Sequence, residues 1–553
     1  MALKREQREP HVVVHDHGRG PEPCFRSDYA DKSGHDHSRG RGLGWGRGWT
    51  QWPVRVLLGA LTLSVVLASG AAGLERYLSR KYMSPQAPLT RASITSADKV
   101  DWTRQGLGLP DHAPPVVLTF HDVNKKSTSP YALTPRAFDA QLTALEKAGY
   151  RTLSAQQFTN YMNGGPTPRR SVLLTFDDGT DGLWKYADRI LAKHRMRGTI
   201  FLITGSMDKH RPYYLTWREI ERMHGSGRWD FQSHTRAMHS VRQVDATGNT
   251  GAPLINRLWL ADKGRRETQA EYRARVLHDL AGSVEDIVNH GMPTPTMFAV
   301  PFSDGPGQQD ADSTDSQARH LLKELFPLVM TDHSGVPLTA SRRSASTGLV
   351  QRVEVFAKTT PDEMLAAVGE RVQVPADAHT PLSETENWGG RQTRTSFGVF
   401  LGKVPKSAQI PRYAKADYRP DSSVDWTDYS VTTTIGALGN GTNQAALGVR
   451  TNSKEPMTVV VTRNRAILLA NGYKVASQPL DPKSDHTITV KVGQDTTTAY
   501  VDGHVRLTHV SDQPADQLTG GVTIRSGINR TGNEWPVFKA LDISPLDRTP
   551  GRG

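Results

Sequence analysis

The sequence predicts a multidomain chain: one apolar N-terminal helix, an α/β domain on a mainly parallel sheet, and an all-β sandwich at the C-terminus. Three observations predict it. An uncharged apolar run occupies residues 56–74. Between 114 and 372, short β-branched runs alternate with amphipathic stretches of helical period, the signature of parallel strands joined by crossover helices. Beyond 396 only short β-rich runs remain, separated by turn signals. The 553 residues are 37% hydrophobic and 22% charged, enough to bury several cores.

Residues 1–52 are rich in Gly, Arg, His and Asp and show no apolar periodicity, so they read as a disordered tail. His11, His15, His17, His35 and His37 read as part of that solvated tail rather than as a metal site. Residues 53–75 read as a transmembrane signal anchor. The apolar run is 19 residues long, bounded by Arg55 and Glu75, and a helix of that length spans a bilayer core. Trp49, Trp52 and Tyr77 stand where interfacial aromatics belong. Ala68, Ser69, Gly70 and Ala71 would suit a signal-peptidase site, but a leader of more than 50 residues is too long for a secretory signal. The slight excess of arginine before the run places the N-terminus in the cytoplasm and residues 75–553 outside the cell, anchored in the cell membrane by one helix. Residues 76–113, with Pro85, Pro88 and Pro110, form a linker.

Net charge is +12, from 68 basic and 56 acidic residues, and the basic residues are scattered, so no nucleic-acid partner is indicated. Cys24 is the only cysteine, which excludes a disulfide framework and any Cys-ligated metal cluster. A metal in this chain must be held by His, Asp or Glu.

In the α/β domain, VVLTF at Val116–Phe120 and SVLLTF at Ser171–Phe176 are buried-strand runs, followed by GTIFLI at 198–203 and a strand at 297–300. Helical patterns cover 134–149, opening on a Thr-Pro start, then 183–194, 216–224 and 272–290. Residues 373–395, with Pro375, Pro381 and Gly389-Gly390, read as a second linker. From 396 to 548, strand runs at 429–435, 457–461, 466–469, 486–492 and 497–501 are punctuated by Asn471-Gly472 and Asp502-Gly503. Trp388, Trp426, Tyr429 and Trp535 are either core residues of this sandwich or rings that stack on sugars.

Three clusters in the α/β domain carry chemistry. Thr175-Phe176-Asp177-Asp178-Gly179 puts two carboxylates just beyond a strand, at the sheet edge where α/β domains bind ligands. One carboxylate can hold a metal while the other accepts a proton. Ser233-His234-Thr235-Arg236-Ala237-Met238-His239 has two histidines five apart, a spacing that does not share a helix face, so a loop must bring the rings together. With one carboxylate they make a two-His, one-carboxylate set with open positions, able to activate water. Phe120-His121-Asp122 ends the first strand and places His121 on the same sheet edge as Asp177, where it can act as a general acid.

The order strand–His-Asp, strand–Asp-Asp-Gly, His-Thr-x-x-x-His resembles the polysaccharide deacetylases of carbohydrate esterase family 4, the NodB-homology domain. The nearer likeness is to the branch acting on poly-β-1,6-N-acetylglucosamine exopolysaccharide. The resemblance covers about 115–370 and implies a distorted β/α barrel and a hydrolase of amide C–N bonds. It implies that Asp178, His234 and His239 bind a divalent metal, zinc by default, with cobalt, nickel or iron able to use the same ligands. It implies that Asp177 is the general base and His121 the acid that protonates the leaving amine, with His333 a rival. It places substrate and oxyanion contacts at Pro301 and Phe302, within Phe298-Ala299-Val300-Pro301-Phe302-Ser303-Asp304-Gly305. One departure stands out: the arginine that the family uses to orient the base is absent from that segment. The C-terminal texture resembles a concanavalin A-like, laminin-G-like jelly roll, a fold that hosts glycan binding and catalysis alike. No paired-carboxylate pattern of a glycanase occurs there.

The expected function is metal-dependent de-N-acetylation of an extracellular N-acetylglucosamine polymer, supporting adhesion or biofilm matrix, with a membrane polysaccharide synthase as a possible partner. The rivals are a peptidoglycan or chitin deacetylase, and an inactive membrane-anchored scaffold that binds glycan, motivated by the missing arginine.

Overall fold

In the computed structural model, the described residues are 114–546, except 127, 169, 304–313, 335–336, 390–396, 404–412, 440–442 and 529–533. The expected tail 1–52, anchor 53–75 and linker 76–113 lie outside them, as do Asp304 and Gly305. Contacts divide the chain into Met1–Pro85 and Gln86–Gly553, and all described residues belong to the second unit.

Eight parallel strands run round the first domain: β1 Val116–Phe120, β2 Ser171–Phe176, β3 Gly198–Leu202, β4 Trp229–Ser233, β5 Met297–Ala299, β6 Leu328–Thr331, β7 Leu349–Gln351 and β8 Val353–Glu354, and a ninth, Arg151–Thr152, pairs with the start of β2. Their spatial order is β7-β6-β5-β4-β3-β2-β1-β8. β7 and β8 stand at opposite ends of that order, yet only Arg352 separates them in the chain. The two edges therefore meet there, and the sheet is a near-closed barrel. Arg352 N–H donates to Thr331 O at 2.9 Å on one side of the seam, and Val355 N–H donates to Thr119 O at 2.9 Å on the other.

Period-two alternation sorts the strand residues. Val116, Leu118 and Phe120, with Val172, Leu174 and Phe176, face outward into the core beneath the helices. Val117 and Leu173 face inward and pack with Phe201, Met297, Ala299, Met330 and Val350. Thr119 and Thr175 pair in register above them. Two residues further along each strand come His121 and Asp177, so the alternation that buries the barrel interior also aims these two side chains at its mouth.

The helices start where cap residues dictate. Thr134 caps Pro135–Lys147, and reciprocal capping boxes open Ala155–Met162, Trp217–Gly225, Gln269–Asn289 and Pro361–Gly369. The expected helix at 183–194 is a π turn, Leu183–Ala187, continued by an α-helix, Asp188–His194.

The second domain is all-β. A seven-stranded and a five-stranded antiparallel sheet share one hydrophobic core. Every strand run expected between 429 and 501 is present. At Asn471-Gly472 the φ values are 48° and 82°, and at Asp502-Gly503 they are 52° and 78°, the paired left-handed conformations of tight hairpin turns. Trp388, Trp426, Tyr429 and Trp535 are all buried in this core, so the structure removes them as sugar-stacking rings. Residues 373–389, expected as linker, pack onto the sandwich: Val374 N–H donates to Ser422 O at 3.1 Å, Trp426 Nε1 donates to Val374 O at 2.7 Å, and Trp388–Gly389 pairs with Tyr413–Tyr418. Polar contacts join the two domains, with Arg343 donating to Thr451 O at 3.3 Å and Thr339 Oγ1 to Asp421 O at 3.4 Å.

Candidate active site

Asp177 and Asp178 follow β2 and serve different partners, because the chain turns between them. Asp178 has φ 73°, and Gly179 follows at φ 78°. A Cβ at Gly179 would stand 2.7 Å from Leu202 Cδ2, so the turn needs glycine. Asp122, beyond β1, accepts from Thr180 Oγ1 at 2.8 Å and steadies the same turn.

Asp178 faces two histidines. Its Oδ1 lies 3.7 Å from His234 Nε2 and 3.3 Å from His239 Nε2. One ligand atom from each of the three residues lies within 4.8 Å of the others, the geometry of a possible metal site. The chemistry of the donors fits a divalent cation. His234 is buried and its Nδ1 donates to Ala299 O at 2.8 Å, which leaves the Nε2 lone pair turned to Asp178. Burial lowers the His234 pKa to about 4 against the pull of Asp177, so this ring is neutral and ready to ligate at ordinary pH. The loop between the histidines is held from the Gln269–Asn289 helix: Asp279 accepts from the N–H groups of Arg236 and Ala237, each at 2.8 Å. Thr235 in that loop has φ 74°.

Asp177 is buried and turned to the barrel seam. Arg352 donates to its two oxygens at 2.7 and 2.8 Å, and the same guanidinium donates to Asp332 at 2.8 and 2.9 Å. Burial opposes the Asp177 charge, but Arg352 outweighs it, with His234 and His121 adding to it, and the carboxyl is held well below the usual carboxylate range. The 298–305 segment carries no arginine, and the guanidinium on Asp177 comes instead from the residue that closes the barrel. Asp332, between β6 and the barrel mouth, is its second anchor. Sequence reading passes over both. The available signal is an arginine between the β-branched residues of 349–356, LVQRVEVF, where a charged residue flanked by strand residues demands a partner.

His121 is close enough to Asp177 to favour its carboxylate. Its Nδ1 is buried without a hydrogen-bond partner among the described residues, and its ring packs on Tyr131 with centroids 4.7 Å apart. His333 is exposed at the surface after β6, where its carbonyl accepts from Thr331 Oγ1. Pro301 opens a turn in which Phe302 has φ 62° and lays its ring on His239 at 4.9 Å. Val300 N–H is taken by Met330 O at 3.0 Å and proline has no N–H, so Phe302 supplies the next backbone donor.

Residues 164–321 match the polysaccharide deacetylase family, hydrolases that act on amide C–N bonds and, in carbohydrate esterase family 4, depend on a metal. The poly-β-1,6-N-acetyl-D-glucosamine N-deacetylase of Escherichia coli is 28% identical over 209 residues, 35% of this chain and 31% of that protein. Its namesake in Staphylococcus epidermidis is 31% identical over 121 residues, 21% of this chain and 42% of that protein. The chain thus spans 31% and 42% of the length of these two relatives. A solved de-N-acetylase from Aggregatibacter actinomycetemcomitans aligns with 45% of this chain and 98% of its own, at 18% identity and a TM-score of 0.38.

Proposed function

We propose that this protein is a metal-dependent de-N-acetylase of an extracellular N-acetylglucosamine polymer of the poly-β-1,6 type. It is held at the cell membrane by residues 53–75, with its catalytic domain outside. Among the described residues no helix is long and apolar enough to cross a membrane, and the proposed anchor lies outside them. The observation that carries the reading is the pairing, at one barrel mouth, of an Arg352-clamped Asp177 with the Asp178, His234 and His239 cluster.

Each residue has a task. Asp178, His234 and His239 hold the cation, which when bound supplies Lewis acidity toward water and the acetamide carbonyl. Asp177, kept ionised by Arg352, takes the proton of the attacking water. As water oxygen bonds to the carbonyl carbon, the Phe302 N–H donates to the developing oxyanion. The C–N bond then breaks, His121 protonates the departing amine, and acetate and a free amino sugar result. The product amines are cationic and bind anionic surfaces, which fits a role in adhesion or matrix. The metal is zinc by default, with cobalt, nickel or iron suited to the same donors.

The scaffold alternative rested on a missing arginine, and Arg352 occupies that place. A peptidoglycan or chitin deacetylase remains the rival within the class. Acetate release from β-1,6-linked, β-1,4-linked and peptidoglycan oligomers separates them: a preference for β-1,6 supports the proposal, and a preference for either other overturns it.

A further inference from the structure

Large aromatic rings are exposed around the site. Tyr131, Phe302 and Phe356 are 44%, 41% and 38% exposed, and the two phenylalanines are the only exposed ones among the described residues. Tyr131 lies against His121, and its ring is 5.7 Å from that of Phe356. Phe302 lies against His239, a member of the Asp-His-His cluster. A non-glycine residue with a bulky ring at φ 62° is held in a costly conformation, as happens where a side chain must be presented.

The Tyr131–Phe356 pair is also braced. Ala357 N–H donates to Pro130 O at 2.7 Å, tying the turn after Phe356 to the loop that carries Tyr131. Thr359 closes that turn, with Phe356 N–H donating to its Oγ1 at 3.0 Å. Ala132 pairs with Asp122, so the Tyr131 loop is fixed to the strand end that carries His121. Two solvent-open rings, tilted 52° to each other on segments braced by backbone hydrogen bonds, form a shallow angled apolar surface fixed before any ligand arrives.

We propose that Tyr131 and Phe356 form a platform for the sugar ring next to the one being deacetylated, with Phe302 a further wall of the site beside His239. The apolar C–H face of a pyranose suits such rings, and neither charge nor acetamide is needed there. The occupant is therefore a saccharide chain rather than a single sugar. This rests on the de-N-acetylase reading and adds that the site recognises at least two linked residues.

The test measures binding of a β-1,6-linked N-acetylglucosamine pentasaccharide, and of N-acetylglucosamine, to the full chain by calorimetry. An Asp177→Asn background prevents turnover. The full chain should prefer the pentasaccharide. Phe356→Ala and Tyr131→Ala should each lose about tenfold in pentasaccharide affinity, while Phe356→Trp retains it. With Asp177 intact, KM should rise by the same factor while kcat changes less. Melting temperatures of the variants check folding. No pentasaccharide binding, or equal binding by Phe356→Ala, overturns the platform even if acetate is released. Ring-dependent binding without acetate release sinks the hydrolase reading and leaves the platform standing.

Discussion

Arg352 and Asp177, 175 residues apart in sequence, are joined by two parallel hydrogen bonds of 2.7 and 2.8 Å at the seam of the barrel. Both are buried, and Asp332 takes the rest of the guanidinium. The residue that closes the fold is thus the one that keeps Asp177, the proposed base, charged.

Arg352→Lys keeps a charge but loses the two-pronged geometry. It should lower kcat by about 10²-fold and move the acid limb of the pH–rate profile upward, because Asp177 loses the contact that holds its pKa down. Arg352→Ala removes the buried guanidinium from two carboxylates and should cost about 3–5 kcal/mol of stability. A pH–rate profile and a denaturant titration check the two effects separately.

The metal-free protein should lose stability as pH falls from about 6.5 to about 4. His234 takes up a proton near pH 6.5 when unfolded, but in the fold it stays neutral down to about 4. Across that window the unfolded chain binds the extra proton, which costs the fold up to about 1.4 kcal/mol per pH unit. Below it, Asp177 acts in the same direction: its depressed folded pKa contributes stability that is lost as acid protonates it. Urea titrations at pH 7 and pH 5 should show the loss, and His234→Gln should flatten it.

Asp279 touches no reacting group, yet it fastens the loop between the two histidines through the Arg236 and Ala237 N–H groups. Asp279→Ala should weaken binding of a divalent metal by about 10- to 100-fold. Metal titration reads the change, and an unaltered circular dichroism spectrum confirms that the barrel persists.

How much of this is legible in the sequence follows the range of each interaction. Asp178 with His234 and His239 is visible because both motifs are local and end strands that the apolar pattern reveals. His121 beside Asp177 follows from strand pairing and period two. Arg352 escapes because its partners lie 175 and 20 residues away and only barrel closure brings them together. The left-handed backbone of Phe302 carries no compositional mark. Burial of Trp388, Trp426 and Trp535 depends on two sheets facing each other, so the sequence leaves sugar stacking open beside the core reading that the structure bears out.

Tyr429 shows how the sandwich is tied. Its hydroxyl donates to Gly520 O at 2.7 Å and accepts from Arg450 N–H at 3.2 Å, fully buried. Tyr429→Phe leaves these buried groups without a partner and should cost about 1–3 kcal/mol. Thermal unfolding of the full chain measures it, and acetate release should be nearly unchanged at temperatures well below the transition.

The most direct test of the central claim is acetate release by residues 76–553 from poly-β-1,6-N-acetylglucosamine oligomers, with and without a chelator, beside Asp177→Asn. The account predicts release that the chelator stops, that added divalent metal restores, and that Asp177→Asn lacks. Release indifferent to both chelator and Asp177→Asn, or no release from a chain that binds no metal, would contradict it.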